Sequence, residues 1–294
     1  MKKIVLIIVS ILLFGVMGAC GVGKSAGKAD VLKQYKEAAV NAKYIMHSLG
    51  GMENTYTYTN SIDALRTCYE EGYRFFEVDI SLTSDGKPVC AHAATVDGEE
   101  NVWRKVEWEK RLGQKYDPDH TLASYDEFMS FTIQGKFKAT DFADIVEFMS
   151  EHKDMYIMLD VNNRSYEGTK KIYEAIVAEA KGNTDVLNRF IAGGHTTQMM
   201  DAVADVYDFP LLNLYFANQE TRQDSLKKPG DFVAYCRENG ITSFSTSCAT
   251  FKAEDISLLS DNLIGYVFTT DDPAEAAAIH KEGFVAGTNF LRDE

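Results

Sequence analysis

Short apolar runs alternate with helix-like segments along the chain from Tyr44 onward. Nine of these runs have the length and composition of strands. They cover residues 44–47, 75–82, 87–92, 155–161, 189–193, 211–216, 243–248, 264–270 and 284–290. Helix-like stretches lie between them, for example at 61–72, 141–152, 196–207 and 272–283, and several begin with Ser, Thr or Asp at an N-cap position. Alternation of this kind predicts βα units and a parallel sheet.

The number and spacing of these units predict an α/β fold, a (β/α)8 TIM-type barrel, over residues 41–294. A barrel of this kind has eight strands, so we expect one of the nine candidates to lie outside it or to be wrongly assigned. The segment at about 95–140 is aromatic and highly charged, and it is too long for an ordinary loop. It therefore predicts an insertion over the C-terminal mouth of the barrel.

Three acidic residues interrupt two of the strand candidates. Side chains alternate along a strand, so Glu77 and Asp79 share one face of the run at 75–82 and apolar residues form the other. The run at 155–161 repeats this pattern with Asp160. The apolar faces suit a surrounding ring of helices, so we expect the three acids to point into the barrel. They would converge near the C-terminal ends of the strands, where such barrels keep their active sites.

Three neighbouring carboxylates repel one another, and a bound cation is the simplest remedy. An all-oxygen ligand set favours Ca²⁺ or Mg²⁺ over zinc. Any one of these acids alone would more often form an ion pair with Arg or Lys, but histidines nearby favour the metal interpretation. His47 ends the first strand candidate and His92 the third, on either side of the acidic strand, whereas His195 follows a strand in a loop.

Several short motifs occur in series across residues 44–93. They are His47-Ser48-Leu49-Gly50-Gly51, Thr59-Asn60-Ser61, Glu77-Val78-Asp79, Thr83-Ser84-Asp85-Gly86 and His92. In order and spacing this series resembles the glycerophosphodiester phosphodiesterase family, relatives of phosphatidylinositol-specific phospholipase C with a β/α-barrel fold. The resemblance implies a phosphoric diester hydrolase.

The resemblance also implies roles for individual residues. Glu77 and Asp79 match metal ligands of the family, with Asp160 as the candidate third ligand, and His47 and His92 match two acid/base histidines. The candidate substrate-binding residues are Asn60, Asn162 and His195. The implied substrate is a small phosphodiester or a lysolipid. The attacking group is either a neighbouring glycerol hydroxyl, which would give a cyclic intermediate, or water.

The chain departs from the family pattern at four positions. Ser48 stands where Arg is usual, Ala93 where Asp is usual, Asp160 where Glu is usual, and Asn162 where Lys is usual. Arg104, Lys105 and Arg111 of the insertion are candidates for the missing positive charge, although charged residues in such a segment more often face solvent. Two alternatives therefore stay open, namely a sphingomyelinase D-like lipid phosphodiesterase and a surface lipoprotein that binds its ligand without turnover.

The first twenty residues combine two lysines, an apolar run and a small-residue segment ending at Cys20. This pattern predicts a signal peptide over residues 1–19, lipid attachment at Cys20 and a linker over 20–40, with an uncleaved membrane anchor as the alternative. The expected location is the bacterial cell surface or another extracytoplasmic site, on a membrane. The net charge of −14 argues against a nucleic-acid partner.

Overall fold

The computed structural model describes residues 27–92, 103–161, 163, 165–216, 226, 229–249 and 263–292. The strands in these residues are β1 (Tyr44–Met46), β2 (Phe75–Leu82), β3 (Pro88–Cys90), β4 (Thr132–Ile133), β5 (Phe137–Lys138), β6 (Tyr156–Val161), β7 (Phe190–Gly194), β8 (Leu211–Tyr215), β9 (Ser243–Ser247), β10 (Ile264–Phe268) and β11 (Val285–Thr288). The helices are α1 (Lys28–Val40), α2 (Ile62–Glu70), α3 (Tyr125–Met129), α4 (Phe142–Glu151), α5 (Tyr166–Glu179), α6 (Thr184–Leu187), α7 (Thr197–Val206), α8 (Pro229–Glu238) and α9 (Pro273–Lys281). Two further turns of helix span His47–Leu49 and Glu107–Leu112.

Eight parallel strands close into a barrel in the order β1, β2, β6, β7, β8, β9, β10 and β11. Strand β1 completes the ring because it pairs with β2 on one side and with β11 on the other. The predicted (β/α)8 barrel is confirmed. The surplus strand candidate is the one at 87–92, because β3 runs antiparallel to β2 at its C-terminal end and lies outside the ring.

The four helix-like stretches at 61–72, 141–152, 196–207 and 272–283 are helices. Each begins after a polar residue whose side chain accepts a hydrogen bond from a backbone N–H of the first turn, which fixes where the helix starts. These N-cap residues are Ser61, Asp141, Thr196 and Asp272.

The sheet separates two apolar layers. Even-numbered residues of β2, such as Phe76 and Val78, pack outward against the helices, and odd-numbered Phe75 packs inside the barrel. Helix α1 closes the lower, N-terminal end of this interior, where the buried Tyr35 hydroxyl lies 2.9 Å from that of Tyr266. The linker predicted over 20–40 is therefore wrong from Lys28 onward, because the apolar face of α1 is buried in the barrel floor.

The described part of the insertion, residues 103–140, has an apolar cluster of its own around Trp103, Trp108 and Phe128. It is attached to the upper end of β2, where the Trp103 indole donates a hydrogen bond of 3.1 Å to Ser81 Oγ. The insertion therefore lies at the C-terminal mouth. Within the described residues no helix is long and apolar enough to cross a membrane. The predicted signal peptide and Cys20 lie outside those residues.

Candidate active site

The three acids that the sequence analysis places inside the barrel lie together at its upper end. Asp79 on β2 is directly paired in register with Asp160 on β6, and Glu77 lies two residues earlier on the same face of β2. One carboxylate oxygen from each of the three lies within 4.8 Å of the others. Glu77 and Asp79 are almost fully buried.

One oxygen of each carboxylate is fixed by a neighbouring donor. The Ser48 backbone N–H donates to Glu77 Oε2 at 2.8 Å, and the Ser48 hydroxyl donates to Asp79 Oδ2 at 3.1 Å. The Asn60 amide donates to the same Asp79 oxygen at 2.8 Å, and its carbonyl accepts the Asp79 backbone N–H at 3.0 Å. On the third acid, His195 Nε2 lies 2.8 Å from Asp160 Oδ1. These contacts aim the carboxylates into one common space.

Two loops reach the acids through backbone conformations that non-glycine residues rarely adopt. Ser48 has φ 50° and Asn60 has φ 46°, both in the left-handed region. Such conformations persist only where surrounding contacts over-determine them, and they are concentrated at functional sites. Here they let Ser48 present both its N–H and its hydroxyl to the two acids of β2.

The carboxylate cluster carries more negative charge than its donors offset. Burial, with Asp79 and Asp160 close by, raises the pKa of Glu77 well above its ordinary value. Burial would also raise the pKa of Asp160, but the adjacent His195 outweighs it and lowers that pKa. Glu77 Oε1 is buried and has no hydrogen-bond partner among the described residues. A hard divalent cation fits this site because it would bind that oxygen and offset the repulsion.

His47 follows β1 and is held through its Nδ1 atom, which lies 2.9 Å from Asn289 Oδ1. Asn289 is oriented by Asp271, whose Oδ2 accepts the Asn289 amide N–H at 2.9 Å. Because the amide nitrogen of Asn289 is committed to Asp271, its oxygen faces His47 and accepts a hydrogen bond from Nδ1–H. In the neutral ring His47 Nε2 is then the unprotonated atom, and it lies 3.9 Å from Glu77 Oε2.

His92 follows β3 and faces the insertion. Its Nδ1 lies 3.5 Å from Glu107 Oε1, an ion-pair distance that is long for a hydrogen bond. Burial alone would lower the pKa of His92, but the charges of Asp79 and Glu107 outweigh it and raise that pKa. The ring of Tyr58 lies between the two histidines, 4.7 Å from the His47 ring and 6.0 Å from the His92 ring, measured between centroids.

A pocket of about 100 Å³ opens beside the acids and His47. Its wall includes carboxylates and imidazoles, together with polar groups such as Asn213 and Ser245. His195 also lines it, with its ring 5.0 Å from that of Tyr215. The arrangement can hold a cation and exchange protons with a bound group at the same place.

The predicted site residues do not all have the expected surroundings. Both polar ends of the Asn60 side chain are engaged by Asp79, so Asn60 supports a carboxylate and does not face the pocket as a free substrate contact. His195 lines the pocket as expected, but it also pairs with Asp160. Asn162, Ala93 and Cys20 lie outside the described residues.

Sequence reasoning missed Ser48, Asn289, Asp271 and Glu107 as parts of the site. The signal for Asn289 was available, since it directly follows the last strand and so lies at the mouth of the barrel. Ser48 was noted only for the Arg it replaces. No local pattern identifies Glu107, whose role depends on how the insertion folds back onto β2.

A β/α barrel with acids and histidines gathered at its C-terminal mouth defines a barrel enzyme. The model of the glycerophosphoryl diester phosphodiesterase family matches residues 50–286, and the chain belongs to this family. Members of the family are phosphodiesterases, so the prediction of a phosphoric diester hydrolase is confirmed. A search of curated proteins found no match.

Solved structures with the same fold include three enzymes of this type. A glycerophosphodiester phosphodiesterase from Parabacteroides distasonis is 17% identical with a TM-score of 0.61, covering 84% of this chain and 92% of its own. One from Thermotoga maritima is 16% identical with a TM-score of 0.58, covering 84% and 93%. A phosphodiesterase from Oleispira antarctica, in complex with the product sn-glycerol-3-phosphate, is 12% identical with a TM-score of 0.62, covering 84% and 92%. At these identities the likeness establishes the fold.

Proposed function

We propose that the protein hydrolyses glycerophosphodiesters, or related phosphodiesters of phospholipid headgroups, with a divalent cation and two acid/base histidines. The observation that carries this proposal is the buried Glu77 Oε1, which has no hydrogen-bond partner among the described residues and lies within a cluster of three acids. The other oxygen of this carboxylate, Oε2, lies 3.9 Å from His47 Nε2. Glu77, Asp79 and Asp160 would hold Ca²⁺ or Mg²⁺. When bound, the cation would offset negative charge on the phosphoryl oxygens.

The two histidines differ in a way that assigns their roles. Because His47 Nδ1 donates to Asn289, the neutral form of the ring keeps Nε2 open to accept a proton, so His47 is the base that takes the proton of the attacking hydroxyl as the new P–O bond forms. Negative groups around His92 favour its protonated form, so His92 is the acid that donates a proton to the departing alkoxide as the old P–O bond breaks. Proton and charge balance across the step.

The glycerol-phosphate product in the Oleispira antarctica enzyme supports a small phosphodiester as the substrate. The direct test is to incubate the protein with glycerophosphocholine, glycerophosphoethanolamine, lysophosphatidylcholine and sphingomyelin, each with Ca²⁺, Mg²⁺ or EDTA. We expect metal-dependent release of the free alcohol from the glycerophosphodiesters. Turnover of the two lipids alone would replace this proposal with the sphingomyelinase D-like one. Tight binding of a glycerophosphodiester without any product would favour a binding protein.

The cation site has a test that needs no substrate. Glu77→Gln removes one charged ligand while keeping the size of the side chain, so we expect Ca²⁺ and Mg²⁺ affinity to fall by at least about tenfold in calorimetry. Glu109→Gln is the matched control, because Glu109 lies on the insertion surface beside Lys105. Equal cation affinity in the wild type and Glu77→Gln would show that the three acids are not a metal site.

We also propose that the protein is tethered to a membrane outside the cytoplasm through Cys20. The supporting pattern is the basic start, the apolar run and the small residues before that cysteine. Replacing Cys20 with Ala should abolish incorporation of a labelled fatty acid. Unchanged labelling in Cys20→Ala would contradict lipid attachment at this residue.

A further inference from the structure

The helical turn Glu107–Leu112 of the insertion carries a carboxylate into the protein interior. Glu107 has no exposed surface, and its Oε1 lies 3.5 Å from His92 Nδ1. Burying a carboxylate is costly unless charged or hydrogen-bonding groups compensate it. The surroundings of Glu107 therefore show what holds it there.

Two arginines of the same segment accompany Glu107. Arg111 donates to Glu107 Oε1 at 3.1 Å, and Arg104 Nε lies 3.6 Å from Oε2. Burial would raise the pKa of Glu107, but His92 and these arginines outweigh it and lower that pKa. Glu107 is thus held as a carboxylate. The oxygen that accepts from Arg111 is the same one that lies 3.5 Å from the buried His92 Nδ1, which has no hydrogen-bond partner among the described residues.

Arg111 is itself fixed in place by a second contact. Its guanidinium carbon lies 4.3 Å from the centre of the Tyr58 ring, and Tyr58 in turn lies against both histidines. Arg111 is about one-fifth exposed at its side chain, whereas Arg104 is half exposed. Of the insertion cations that the sequence analysis considered, Arg111 is the one built into the site.

We propose that Glu107 is the positioning residue for His92. Its carboxylate holds His92 through Nδ1, so that Nε2 is left to exchange a proton with the substrate, and it stabilises the imidazolium form of the ring. This inference rests on the phosphodiesterase function proposed above. It means that the barrel alone does not complete the site, because one acid/base group is oriented by a segment outside the ring of strands.

In this role Glu107 is a carboxylate behind a catalytic imidazole. Such a carboxylate fixes the tautomer of the ring and stabilises its positive charge without touching the substrate. Within the part of the chain that the structure describes, the other charged or titratable groups around His92 are Arg111 and Arg104 on the insertion, Tyr58 in the loop after β1, and Asp79 and Asp160 in the barrel. Glu107 lies closer to a ring nitrogen of His92 than Asp79 and Asp160 do, with 3.5 Å between its Oε1 and His92 Nδ1.

The experiment compares the wild type with Glu107→Gln, with Glu109→Gln as the matched control on the same segment. NMR follows the titration of the His92 ring, identified by its loss in His92→Asn, in EDTA and again with Mg²⁺. We expect the His92 midpoint to fall by about one pH unit in Glu107→Gln and to stay unchanged in Glu109→Gln. An unchanged midpoint in Glu107→Gln overturns the proposal whether or not the protein turns over any substrate.

Kinetics supply the second readout. We expect Glu107→Gln to lower kcat by about 10- to 100-fold with KM changed less than about threefold, and to move the pH limb of His92 to lower pH. In a His92→Asn background, Glu107→Gln should lower kcat little further. If Glu107→Gln lowered kcat there by the same factor as in the wild type, its role would be merely structural. Absence of turnover in the wild type would overturn the proposed function. The positioning role of Glu107 would then be decided by the NMR midpoint of His92 alone.

A second variant covers the case in which Glu107→Gln does not fold. Glu107→Asp keeps the charge but retracts the carboxylate by one methylene, so we expect a smaller fall in the His92 midpoint and a kcat between those of the wild type and Glu107→Gln. A His92 midpoint and kcat equal to those of the wild type in Glu107→Asp would likewise overturn the proposal. Circular dichroism confirms that the proteins compared are folded.

Discussion

The two histidines of the site are held by different parts of the molecule. His47 is oriented by Asn289 and, behind it, by Asp271, and these residues follow the last two strands of the barrel. His92 is oriented by Glu107 on the insertion. Both contacts use the same ring atom, Nδ1. They differ in the element that supplies the partner and in whether that partner carries a charge.

This difference separates the two rings chemically. The neutral amide oxygen of Asn289 accepts a hydrogen bond from Nδ1–H and leaves Nε2 of the neutral ring open, so His47 is suited to act as a base. A carboxylate stabilises the imidazolium, so His92 is suited to act as an acid. The barrel and the insertion thus hold the two rings through different partners, an amide and a carboxylate, a few ångströms on either side of Tyr58.

Removing either ring should have the largest effect. We expect His47→Asn and His92→Asn each to lower kcat by about 10²- to 10⁴-fold, the usual contribution of one acid or base. The variants should also lose different limbs of the pH profile of kcat, the acid limb in His47→Asn and the alkaline limb in His92→Asn. Loss of the same limb in both variants would break the assignment of one base and one acid.

Weakening the support of His47 should have the next largest effect. Asp271→Asn removes the carboxylate that accepts from Asn289, Thr288 and the backbone N–H of Phe290. We expect kcat to fall by about tenfold or more, and the free energy of unfolding to fall by about 2 kcal/mol at neutral pH. Urea unfolding measures the second quantity, and Asp201→Asn on the exposed side of α7 is the control.

The stability loss in Asp271→Asn should depend on pH. Burial would raise the pKa of Asp271, but hydrogen bonds from Asn289 and Thr288 outweigh it and lower that pKa in the folded state. A lowered pKa stabilises the fold above the unfolded-state value of about 3.9, and this contribution is lost as the pH falls through the folded value. The difference between the wild type and Asp271→Asn should therefore shrink below about pH 4. A constant difference would contradict this origin.

The sequence was sufficient to predict the barrel and its acidic interior, for physical reasons. Strand alternation separates Glu77, Asp79 and Asp160 from the apolar face of their strands, the predicted ring of helices makes the acidic face the inner one, and the structure brings the three acids together. N-cap residues such as Ser61 located the helices because a cap depends only on its own first turn. Patterns of this kind depend only on residues that are close together in the sequence.

The features that escaped the sequence analysis all depend on contacts between distant segments. Helix α1 resembles a polar linker because only Val31, Tyr35 and Ala39 of its residues are buried, and the barrel floor that buries them is assembled from other strands. Glu107 lies in a charged run that suggests a solvated surface, yet it is fully buried. A charge at 107 becomes part of the site only because Trp103 attaches the insertion to β2.

The hydrogen bond between Trp103 and Ser81 provides a further test, with a smaller expected effect. Trp103→Phe keeps an aromatic ring in the insertion core but removes the hydrogen bond to Ser81, so we expect a loss of about 1 kcal/mol in the free energy of unfolding. Hydrogen exchange should rise in residues 103–140 and stay unchanged in the barrel strands. The alkaline limb of the pH profile should shift with the insertion and the acid limb should not. Equal effects on both limbs would show that both histidines depend on the insertion.

The smallest effect is expected at Tyr58, whose ring lies between the two histidines. Tyr58→Phe keeps the ring that contacts both histidines and the Arg111 guanidinium, and removes only the hydroxyl, so we expect kcat to change by less than about threefold. Tyr58→Ala removes the ring as well, and because Arg111 then loses its stacking partner, the loss should fall mainly on the limb of His92. A large loss of kcat in Tyr58→Phe would instead mean that the hydroxyl takes part in proton transfer, and the two histidines would no longer suffice as the acid and base.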